Sequence, residues 1–216
     1  MSVLWIVLAA QLSLPIPVGL RFPDVRAVFS ADDMPAYVQM EGINRFVATR
    51  TTVRPDGVVQ DCVVEGSSGD AKLDSYTCSI ILRRAKFQPA RWSDGSAVYS
   101  VVRAPVTWAI GGPPSKSEVE KAYAADMELS VDRLPAGAGR RASLTLIIAV
   151  DEIGRVVGCR EPPKVSPSDH TKTFPQLVPI ACQHLMSEFT AIPAKDSSGK
   201  PSRSVQTASV VFSTDT

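Results

Sequence analysis

One pattern runs through this chain twice. An apolar, strand-like run meets a turn built on glycine, and a Val-Val step leads to a cysteine. A loop, a helix-like run with a second cysteine, a Pro-Ala pair, a small turn and a last alternating strand follow. In the first stretch the markers are Gly57, Cys62, Cys78, Pro89-Ala90 and Asp94-Gly95. In the second they are Gly154, Cys159, Cys182, Pro193-Ala194 and Gly199. Internal repetition of this kind decides the architecture before any motif is read. The expected fold is α+β: two tandem ββαβ units, each a small antiparallel three-stranded sheet packed on one helix.

Each unit is only about 70 to 80 residues long, a size at which a hydrophobic core alone is marginal. A covalent staple would help. Four cysteines allow three connectivities. The duplication selects Cys62 with Cys78 and Cys159 with Cys182. Closing such loops stabilises by roughly 3 kcal/mol each in the chain-entropy model. Bridges of this kind imply an oxidising compartment such as the periplasm. Buried thiols are the alternative. Zinc fits poorly, because no CxxC is present and His170 and His184 lack ligand-like spacing to a cysteine pair.

The N-terminal run Val3–Leu14 ends at Pro15 and Pro17, and residues 1–20 read as a signal peptide or an N-terminal anchor. A core strand is the third option. The first basic residue is Arg21, so the usual positive start is missing. The net charge of +1 over 216 residues argues against nucleic acid as a partner. Membrane contact is expected only through the N-terminal segment, if it stays attached.

Within the first unit, Asn44–Val53 reads as a strand, Pro55-Asp56-Gly57 as a hairpin turn, and Val58–Glu65 as the returning strand. On that strand simple alternation places Val58, Cys62 and Val64 on one face and Val59 and Val63 on the other. A helix follows, capped by Asp70 or Ser68, with Leu73, Ile80 and Ile81 at helical spacing. Val98–Ile110 alternates, with Val102, Ala104, Val106 and Trp108 on one side, and Pro105 demotes it to an edge. Residues 111–140 form a linker, with a short helix over Ser115–Met127 and an isolated strand near Met127–Val131. In the second unit, residues 141–216, strands are expected near Ser143–Val150, Arg155–Arg160 and Ser204–Ser213. Its helix spans about Phe174–Phe189; Pro175 fits a first turn, but Pro179 weakens that start and moves the expected beginning to near Val178.

The first unit resembles the C-terminal domain of TonB, in its cysteine-bearing alphaproteobacterial form. The residues that carry the resemblance are Ala31-Asp32-Asp33-Met34-Pro35, Val53–Asp61, Ser67-Ser68-Gly69, Leu73-Asp74 and Thr77-Cys78, followed by Arg83–Phe87, Pro89-Ala90, Asp94-Gly95 and Val106-Thr107-Trp108. It covers residues 30–110. Residues 141–216 keep fewer of these positions and read as a degenerate second copy. The resemblance implies a periplasmic, non-catalytic protein that binds an extended segment of an envelope or outer-membrane receptor by β-strand addition, linked to TonB-dependent transport. It places the edge on the strand bearing Val102, Ala104, Val106 and Trp108. The proline-free last strand, with Val205, Thr207, Ser209 and Val211, offers a second edge and is the one expected to hold the partner. The alternative is a structural envelope module that binds no peptide.

No cofactor or catalytic site is expected. Ser67-Ser68-Gly69 has no histidine in its own unit to activate a nucleophile. Asp169 and His170 sit in a proline-rich loop without a spacing partner. Gly111-Gly112 runs into Pro113-Pro114, which cannot donate amides to a phosphate.

Overall fold

The computed structural model describes residues 28–41, 44–109, 124–162 and 174–214. The N-terminal apolar run, the start of the linker and the Asp169-His170 loop lie outside them. A short helix, α1 (Ala36–Glu41), precedes the first hairpin of β1 (Arg45–Val53) and β2 (Val59–Gly66). Helix α2 (Ala71–Arg84), β3 (Ala90–Arg91) and β4 (Ala97–Trp108) complete the first half. β5 (Met127–Ser130) lies between the halves. The second half holds β6 (Arg141–Val150), β7 (Val156–Arg160), α3 (Val178–Glu188), β8 (Ala194–Lys195), β9 (Pro201–Ser202) and β10 (Ser204–Ser213). The end of the helix expected over Ser115–Met127 is extended, with Met127 opening β5.

Local chemistry accounts for the boundaries. The Asp56 carboxylate accepts from the Val58 amide at 3.1 Å, and Gly57, at φ 84°, supplies the conformation the turn requires. Asp70 caps α2 by accepting from Lys72 N and Leu73 N. Ser68 braces the cap, donating to Asp74 at 2.8 Å while its own oxygen accepts from Asp70 N. α3 begins at Val178, after a 3-10 turn at Pro175–Leu177, with proline in its first turn.

The strand faces of β2 differ from simple alternation. Thr52 pairs with Asp61 but Val53 pairs with Val59, so Gln60 is an extra, bulged residue. The bulge turns Val59 into the core beside Cys62 and Val64 and leaves Val58 exposed.

Two separate three-stranded sheets do not form. The strands join into one eight-stranded sheet with the path β2-β1-β4-β10-β6-β7, while β3 and β5 pair off that path. The junction is parallel: Tyr99–Val101 of β4 lie beside Ser204–Gln206 of β10. Each last strand would otherwise leave a row of polar backbone groups unpaired, and meeting side by side satisfies part of both rows.

Strand register puts the two helices on opposite faces. Val47, Val106 and Trp108 point to α2 and pack with Leu73, Ile80 and Ile81. Leu144, Leu146, Ile148, Val210 and Phe212 form the core with Leu177, Ala181 and Leu185. Val205 lies opposite Ser100 across the junction, so it shares the α2 face with Val102, and Ala208 and Val210 face away from it. A third cluster, Ala90, Val98, Val102, Ile147 and Val205, binds the halves together. Each helix is tied to a terminal strand of the sheet, by Cys62–Cys78 on one face and Cys159–Cys182 on the other. Among the described residues no helix is long and apolar enough to cross a membrane.

Candidate functional site

β4 and β10 run together for only three residue pairs and then part. Arg103 and Asp126 stand in the fork. The Arg103 amide donates to the Thr207 hydroxyl at 3.4 Å, and its guanidinium reaches Asp126 at 2.6 Å and Glu65 at 2.8 Å. Glu65 also holds Arg50 at 3.0 Å. Burial works against the Arg103 charge, but Asp126 and Glu65 outweigh it and raise its pKa further. The second carboxylate oxygen of Asp126 accepts from Ser209 N at 2.8 Å, and its own amide donates to Ser209 O. Asp126 thus replaces β4 as the neighbour of β10. From there β5 takes over, pairing Met127–Ser130 in parallel with Val210–Ser213.

β10 is therefore interior. Its whole length pairs with β6 on one side, and β4, Asp126 and β5 share the other. The expectation of a partner-binding edge at Val205, Thr207, Ser209 and Val211 is corrected on this point, since a second strand has no side of β10 left to join. A single strand reading could not see this, because the covering strands are remote in sequence.

β4 is interior over Tyr99–Val101 and an edge beyond. From Arg103 to Trp108 it pairs with β1 on one side, and among the described residues no strand lies on the other. The Arg103 amide points outward, toward Thr207, while the Ala104 carbonyl points to β1 and accepts from the Thr49 hydroxyl at 2.9 Å. Backbone alternation then directs the polar groups of Pro105 and Thr107 outward as well. Pro105 thus sits where its missing N–H breaks no ladder bond, the position a sheet tolerates for proline. What the edge still offers is the Thr107 N–H and the outward carbonyls of Arg103, Pro105 and Thr107.

Of the side chains expected at this edge, Val106 and Trp108 are buried beneath α2 and Val102 in the cluster that joins the halves. They set the strand's face and leave contact to the backbone. Beside the edge, on the α2 face, an apolar hollow opens between Val102, Ala104 and Val106 below and Ile81, Ala85 and Val28 around it. Arg103 and Asp126 were not singled out by sequence reasoning. The available signal was an acidic residue immediately before an isolated strand.

Residues 34–110 match the family described as Gram-negative bacterial TonB protein C-terminal. No curated protein and no solved structure matches the chain.

Proposed function

We propose, from the match of residues 34–110 to the TonB C-terminal family, that the protein is a TonB-like periplasmic adaptor, non-catalytic, that takes up an extended segment of an envelope or outer-membrane protein by strand addition. The observation that carries this reading is the outward backbone of Arg103–Trp108, unpaired by any strand among the described residues. Two disulfides support an oxidising compartment, and the family supports a link to TonB-dependent transport. We read residues 141–216 as a diverged second copy of the first unit. The shared order of two strands, helix and final strand, and a bridge from second strand to helix in each half, support that.

A peptide array of outer-membrane receptor N-termini tests the function. The wild-type chain should retain a subset of the peptides. Thr107→Pro removes the remaining outward amide and should abolish that retention while leaving the disulfide-bonded fold intact. Retention unchanged by Thr107→Pro would move the partner away from β4. The short β4–β10 junction favours the alternative, a structural module whose second half already occupies part of the edge. No retained receptor peptide would select it.

A further inference from the structure

The second half of the molecule contains a strand seated at a position that no strand of the first half fills among the described residues. Trp108 and Phe212 lie equally far, eighteen residues, beyond Ala90 and Ala194. Val106 and Trp108 face α2 as Val210 and Phe212 face α3. On the outer side of Val210 and Phe212 lies β5. Its Met127 and Leu129 pack into the α3 core, while Glu128 and Ser130 are exposed. An added strand at this place therefore inserts alternate apolar side chains between sheet and helix.

In the first half Phe29 packs on Trp108, and the place beside Val106 and Ala104 is a small hollow of about 50 Å³, partly open to solvent. Its surface is almost wholly apolar, and Pro105 stands at its rim. From this we infer that the hollow is a specificity pocket: it seats an aliphatic side chain of the segment that adds to β4, so the edge selects extended segments with aliphatic residues at alternate positions. The inference rests on the strand-addition reading above. Backbone pairing supplies attachment to any extended chain, and the pocket between Ala104 and Ala85 supplies the preference.

Two capped hexapeptides test it on the full, oxidised chain: one alternating Thr with Leu, the other alternating Thr with Ala. Wild type should bind the Leu peptide at least about tenfold more tightly, the discrimination expected from filling an apolar pocket. Ala104→Leu fills the hollow from the strand and Ala85→Leu fills it from the helix end. Either should reduce the preference to under about threefold without weakening the Ala peptide. Thr107→Pro should weaken both peptides alike. Equal binding of the two peptides by wild type overturns the pocket and leaves strand addition standing. So does a preference that survives in both filled variants when tryptophan fluorescence and the disulfides report a native fold. Binding of neither peptide overturns strand addition, and the pocket with it.

Discussion

The indole N–H of Trp108 donates to the hydroxyl of Thr77 at 2.9 Å, inside the first core. The same hydroxyl donates to the Leu73 carbonyl one turn back. Trp108 is further enclosed by Phe29, edge-on at 5.6 Å, and by Tyr76 at 5.8 Å. This hydrogen bond adds to the apolar packing of Val106 and Trp108 in holding the free part of β4 to α2. Thr77→Val keeps the shape and removes the acceptor, leaving a buried indole N–H unpaired. The expected loss is about 1–3 kcal/mol, read as a lower urea midpoint by tryptophan fluorescence. Thr77→Ser should restore most of it.

Two glycines meet backbone where a side chain cannot fit. A Cβ on Gly57 would lie 2.2 Å from the Phe87 carbonyl oxygen, and one on Gly154 2.4 Å from that of Ala191. Both turns accept a hydrogen bond from the segment that follows the helix, Phe87 N to Gly57 O and Ala191 N to Gly154 O. Gly57→Ala and Gly154→Ala should each cost more than about 2 kcal/mol, because the clash adds to the left-handed backbone penalty. Gly95 and Gly199 have similar φ but open space around them. Alanine there should cost only about 1–2 kcal/mol. Urea denaturation of the four variants makes the comparison.

The elements legible in the sequence were those set by local chemistry. The Asp-Gly turn, the Asp70 cap, the Pro179 start and the strand Ser204–Ser213 all follow from residues within a few positions. The face of Val59 was misread because a bulge at Gln60 shifts register, and alternation carries no mark of a bulge. Pro105 correctly marked an edge, but only the stretch beyond Arg103 is one. The parallel junction of β4 with β10 joins residues about a hundred positions apart, and the fork held by Asp126 joins residues 23 and 83 apart. Their partners are chosen by assembly of the halves, which no local window contains.

Asp33 is an almost fully buried carboxylate against the end of α2. The Arg84 guanidinium donates to it at 2.6 Å, and the amide of Ser30 adds a bond at 2.8 Å. Arg84 first, then Ser30, lower its pKa from the ordinary 3.8 to about 2. A depressed carboxylate stabilises the fold above its unfolded pKa, and that contribution fades as pH falls from about 4 toward 2. Arg84→Gln removes the largest cause. The Asp33 titration, followed by NMR, should then move up toward the ordinary range, and acid unfolding should begin at higher pH. An unmoved titration would assign the depression to Ser30.

The bridges Cys62–Cys78 and Cys159–Cys182 span 16 and 23 residues of chain. Loop entropy changes slowly with length, so the two should contribute nearly equally, about 3 kcal/mol each. They lie on opposite faces of the sheet and share no core cluster, so their effects should add. Cys62→Ala with Cys78→Ala, or Cys159→Ala with Cys182→Ala, should each lower stability by that amount and leave a cooperative transition. Removing all four should cost about 6 kcal/mol, comparable to the whole stability of many domains. That variant should lose its cooperative urea transition and its buried tryptophan fluorescence, as should the wild type in reductant. A four-alanine variant that still unfolds cooperatively at the wild-type midpoint would show that the two cores hold the sheet without covalent help.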